Sequence, residues 1–154
     1  MFDVSEDSAT IAAFLIDPKE CSVETVTMAT ERIEVDVNRT LECIFTVGDD
    51  LPEGFRIVSD RNAVLKGVHS FVEANGYNQI FVGKIILFSV DKAGRITSMT
   101  HTASEVSELF SVVLPVLDPV YEGGRAASEN CIRLYGRPLG GFRVRLSRSR
   151  PLPK

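Results

Sequence analysis

A chain of 154 residues, 44% hydrophobic and 25% charged, is the size of one ordinary domain and can bury a core without covalent staples. That balance excludes a disordered or fibrous chain, and no apolar run reaches the roughly 18 residues that a spanning helix needs. The formal charge of −4 is unevenly held: from Arg125 onward eight basic residues stand against Glu129 alone, a net of +7, which leaves −11 for the residues before it.

The acidic start, MFDVSEDSAT, lacks the basic region of a signal peptide, so the expectation is a protein that is not secreted. Cys21, Cys43 and Cys131 are an odd, widely spaced set without a CxxC pair, which predicts three buried thiols in a reducing compartment. In ERIEVDVNRTLECIFTV, residues 31–47, Ile33, Val35 and Val37 and then Leu41, Cys43, Phe45 and Val47 recur at every second position, the strand period. GDDLPEGF predicts a chain reversal. From Asp60 as N-cap, the spacing of Val64, Leu65, Val68, Phe71 and Val72 predicts a helix that Asn75 and Gly76 stop.

QIFVGKIILFSV predicts a central strand, turned by DKAG into RITSMTH. Thr102 and Glu105 have capping-box spacing, and Val106, Leu109, Phe110 and Val113 predict a second helix that lasts until Pro115. PVLDPVYEGGRAASEN predicts a long loop exposing Val116, Leu117, Val120 and Tyr121. CIRLYG and FRVRLSR alternate as strands about a turn at RPLGG, with Phe142, Val144 and Leu146 on one face and Arg143 and Arg145 on the other. The expected architecture is α+β, a single domain over residues 1–148 with an antiparallel sheet and two main helices. Residues 149–154, SRPLPK, are expected to be a free basic tail.

Chemistry is sparse. His69 falls on the first predicted helix and His101 at a strand end, neither with a second ligand at metal spacing. GRPLGG lacks the Lys-Ser or Lys-Thr of a phosphate loop, and the pairs Asp49/Asp50 and Glu105/Glu108 sit where turns and helix starts favour acids. No catalytic residue, metal or cofactor is expected, and the NRT sequon at Asn38 is taken as chance. The basic end differs, because a solvated strand face normally mixes acids with bases. Arg133, Arg137, Arg143, Arg145, Arg148, Arg150 and Lys154 are therefore the expected contacts to nucleic acid or anionic lipid, nonspecific because no aromatic residues interleave to stack on bases. The alternative is that these bases neutralise the chain's own acidic half.

At LPEGFRIVSD…VGKIILFSV and again at GGFRVRLSRSR the chain resembles the matrix proteins of rhabdoviruses, over roughly Thr40 to Val90 with an echo from Cys131 to Arg148. The resemblance implies a virion structural protein of the host cytoplasm and membrane periphery that condenses the nucleocapsid and polymerises. That family's Lys-rich N-terminal arm and its PPxY or PTAP budding motifs do not occur here, so the basic end would take the arm's place. The expected function is a non-enzymatic, matrix-like protein that binds viral nucleocapsid or RNA, or an anionic membrane. It is expected to self-associate head to tail through Val116, Leu117, Val120 and Tyr121. The competing expectation is a small intracellular adaptor or chaperone-like protein-binding module, with an enzyme a distant third.

Overall fold

The computed structural model describes residues 2–5, 9–121 and 138–154, and for 119–121 and 138–144 the backbone alone. It divides into two compact units, Met1–Val113 with Arg148–Lys154, and Leu114–Ser147. The chain is α+β with mostly antiparallel strands, as expected.

The first unit is built on β7 (Ile85–Val90), which lies between β1 (Thr10–Asp17) and β4 (Phe55–Asp60), both antiparallel to it. β2 (Ser22–Ala29) extends the sheet beyond β1, β3 (Thr46–Leu51) ends it beyond β4, and β8 (Ile96–Thr97) also pairs with β7. Successive β7 side chains enter different cores: Ile85 and Leu87 join one cluster, Ile86 and Phe88 the other. Burial on both faces is why the expected central strand reads as a continuous apolar run. That run is nonetheless two strands, because β6 (Gln79–Val82) stops before Gly83 and pairs with β5 (Phe71–Ala74), which in turn pairs with the start of β9 (Phe110–Tyr121).

The β1–β2 hairpin has no counterpart among the predicted elements. Its eight-residue register runs from Thr10↔Ala29 to Asp17↔Ser22. The signal was present in the apolar run IAAFLI and the turn residues DPKE, where Asp17 Oδ1 accepts from the backbone N–H of Lys19 at 2.9 Å.

Only the end of residues 31–47, Thr46 and Val47 at the start of β3, is strand: a 3₁₀ turn at Thr30–Arg32 leads into the helix α1 (Ile33–Leu41). Ile33, Val37 and Leu41 are buried, while Val35, on the predicted apolar face, is 53% exposed. A set spaced by four belongs both to a period of two and to a helix, so Val35 alone separated the two readings. Glu42 closes the helix in the left-handed region, φ 54°, and the N–H groups of Glu42 and Cys43 return to the carbonyls of Arg39 and Asn38.

The helix predicted from Asp60 does not form. Asp60 ends β4, and its carboxylate does cap a turn, accepting from the N–H of Asn62 at 2.8 Å. A single helical turn follows, and Gly67 at φ 74° ends it, with Gly67 N–H returning to Val64 and Val68 N–H to Ala63. Phe71 and Val72 are then strand, and Asn75 and Gly76 turn the β5–β6 hairpin. The reversal at GDDLPEGF occurs, but on Pro52–Gly54, with Asp49 and Asp50 inside β3.

The capping box at Thr102 and Glu105 is present on α2 (Ala103–Leu109), which ends six residues before Pro115 where β9 takes over. Pro115–Tyr121 is thus strand rather than loop, and RPLGG is no turn in its described part, since Pro138–Gly141 belongs to β10 (Pro138–Ser149), the neighbour of β9. The expected strand CIRLYG lies outside the described residues. The predicted free tail is also corrected: Leu152–Pro153 forms β11, parallel to β2, with Leu152 N–H bonded to Cys21 O at 2.9 Å and Lys154 N–H to Val23 O at 2.8 Å. Cys43 is buried as expected, Cys21 is only half-buried in the β1–β2 turn, and Cys131 lies outside the described residues.

Candidate functional site

The described arginines of the basic end do not form one free cationic face. Arg145 Nε donates to Asp118 Oδ2 at 3.0 Å, within the second unit. Arg148 Nε donates to Glu73 Oε2 at 2.7 Å, and that bond holds its guanidinium above the ordinary arginine value. Arg150 Nε donates to Ser107 Oγ at 2.9 Å, and its Nη2 reaches Ser104 O and Glu108 Oε1, each at 3.4 Å. Ser107 is fully buried and donates in turn to Pro151 O, so Arg150 pins β11 down beside α2. Lys154 is exposed. Arg133 and Arg137 lie outside the described residues, as does the side chain of Arg143. The three paired arginines keep half or more of their side-chain surface exposed, so solvent screens these pairs.

Of the residues expected to mediate self-association, Leu117 is 57% exposed and Val116 half-buried, both on β9. The side chains of Val120 and Tyr121 lie outside the described residues. His69 sits in the loop before β5, its Nδ1 2.9 Å from Gly67 O, and His101 meets the Phe55 ring edge-on at 5.1 Å between centroids. Among the described residues no group of three or more ligating side chains could hold a metal, and no helix is long and apolar enough to cross a membrane.

The principal surface feature was missed in the sequence because it surrounds a strand edge. β3 pairs with β4 on one side only, and its other edge has no strand neighbour among the described residues. Cys43 turns into the core after α1, which leaves Ile44 78% exposed and Phe45 59% exposed at the entry to that strand. Val47, Val64, Leu65 and Ile80 are exposed as well. Val47, Asp49, Val64, Ile80 and Phe81 line a groove of about 410 Å³ between β3, the turn after β4, and β6.

Acids mark the same edge. Asp50 accepts two bonds from Arg56, at 2.6 and 2.9 Å, and the bond from Arg56 holds its carboxyl below the ordinary range. Asp49, one residue earlier, has no basic partner among the described residues. Charges on an exposed edge discourage pairing with an identical edge, because like carboxylates would face each other. A basic strand would meet no repulsion from these carboxylates, and the groove carries Asp49 and Asp60 beside one arginine, Arg61. Compared with protein-family models, curated proteins and solved structures, the chain matches none of them.

Proposed function

We propose that this chain is a non-enzymatic, self-associating protein-binding module whose β3 edge takes up an extended, basic–apolar segment of a partner. The observation that carries this is a set of exposed apolar side chains, Ile44 and Phe45 at the entry to β3 and Val47, Val64 and Ile80 at the groove, on and near a strand with no second strand neighbour among the described residues. Strand addition satisfies the edge's backbone groups, the groove accepts alternate side chains, and Asp49 selects a cation. The chain contains a segment of this chemistry: FRVRLSRS, Phe142–Ser149, alternates apolar residues with arginines on β10, itself the end strand of its sheet among the described residues. Contact between β3 of one copy and β10 of another is heterologous and need not close, so it propagates head to tail.

A matrix-like role would use the same self-association and add a basic face for RNA or anionic lipid. The pairing of Arg145, Arg148 and Arg150 with the chain's own groups favours the protein-binding role over that addition. The two separate by titration. A labelled FRVRLSRS peptide is expected to bind the protein and to lose binding to a Val47→Lys, Asp49→Lys variant. Single-stranded RNA is the opposing probe: binding that depends on the same three arginines, with a log–log salt slope near −3 for about four phosphate contacts, would place the matrix-like role ahead. Absence of peptide binding together with a monomer in sedimentation at low salt would remove self-association from both.

A further inference from the structure

We infer that a second cavity, bounded by the end of α1, the turn after β4 and the β6–β7 connection, binds a short amphipathic carboxylate, with its chain inward and its head on Lys19 and Lys84. The inference is independent of the β3 edge. The cavity measures about 220 Å³, and its walls are aliphatic: Leu41, Ala63, Val68 and Val82, closed by the backbone of Gly83. Gly83 has φ 77°, and a Cβ there would stand 3.4 Å from Val68 Cγ1, so the glycine keeps that wall bare. The volume lies below the roughly 300–1,000 Å³ of sites for drug-sized ligands, which limits the occupant to a short chain.

Three lysines from three separated parts of the sequence line this hollow: Lys19 from the β1–β2 turn, Lys66 from the turn after β4, and Lys84 from the β6–β7 connection. They are not equivalent. Lys66 Nζ donates to Asp60 Oδ2 at 2.6 Å and to Glu42 O at 3.4 Å, and the Asp60 bond holds it above the ordinary lysine value. Lys66 and Asp60 therefore neutralise each other and serve as wall. Lys84 Nζ stands 3.6 Å from Glu42 Oε2, too long for a hydrogen bond, and the Glu42 side chain is 79% exposed and free to swing away. Lys19 is exposed and has no acidic partner among the described residues. Two cations with one loosely held carboxylate thus line a largely apolar chamber, the complement of a molecule with an anionic head and a hydrocarbon tail.

The test is an amide-resolved NMR titration of the intact chain with octanoate, alongside octanol as the neutral isostere. Octanoate is expected to shift the amides of Ala63, Val68, Val82 and Gly83 and to bind about fivefold more tightly than octanol, the range that one or two solvated ion pairs supply. Lys19→Ala with Lys84→Ala changes only exposed or half-buried groups, so it should fold, as an unchanged melting curve would verify. It should bring octanoate affinity down to that of octanol. Equal affinities for the two probes in the native chain, shifts confined to other residues, or no shift up to about 10 mM octanoate, where even millimolar affinity would saturate, would each overturn the inference.

Discussion

Val35 and Val37, two residues apart, should respond oppositely to truncation because α1 buries one and exposes the other. A strand would put both on one face, but on α1 Val37 is fully buried with Ile11, Met28, Val58, Ile86 and Phe88, whereas Val35 is 53% exposed. Val37→Ala removes two buried carbons, about 1.6 kcal/mol at ~0.8 per carbon. About 30 Å³ of unrelaxed cavity adds ~0.7 kcal/mol, and the better helix propensity of Ala returns ~0.5. The net loss is about 2 kcal/mol, which at a urea slope of ~2 kcal/mol per molar lowers the midpoint by about 1 M. Val35→Ala gives up little burial and gains the same propensity, so its midpoint should hold or rise slightly. Urea unfolding followed by circular dichroism measures both. Equal losses at the two positions would refute the helix and restore the strand.

Thr102→Ala should cost about 1 kcal/mol by leaving the α2 cap unmade, measurable in the same assay, and Thr102→Ser should restore most of it. Asp50, Asp91 and Glu105 have carboxyls held below their ordinary values, by Arg56, by the N–H of Arg95 and by the N–H of Thr102 respectively. Their stabilisation is therefore present above the unfolded values near ~4 and is lost as pH falls through the lower folded ones. The midpoint should be flat down to about pH 5 and fall below it, and a rise on acidification would contradict the pairing. Deleting residues 151–154 removes two backbone bonds to the β2 region and the Ser107–Pro151 bond, an expected loss of about 2–4 kcal/mol, with faster hydrogen exchange along β2. Burial raises the thiols of both Cys21 and Cys43, and the greater burial of Cys43 predicts that its peptide is alkylated more slowly, as peptide-resolved mass spectrometry would read.

Local chemistry alone determined several features. The Thr102–Glu105 cap needs only residues three apart, the reversal at Pro52–Gly54 only its own turn residues, and β7 announces itself because a strand buried on both faces has no polar positions to interrupt it. Tertiary packing decided the rest wherever two local patterns fitted equally. Ile33, Val37 and Leu41 satisfy both periods, and the cluster around Ile86 and Phe88 selected the helix that buries all three. Val64, Leu65, Val68, Phe71 and Val72 carry helical spacing, yet Gly67 ends the turn and Val72 gains a buried place between β6 and β9 that a continued helix would forgo. The end of the sequence shows the same division. Its positive charge is legible in composition, but whether Arg148 and Arg150 face solvent alone or rest on Glu73, Ser107 and Glu108 depends on residues about 40 to 75 positions away, which only the folded chain brings within a hydrogen bond.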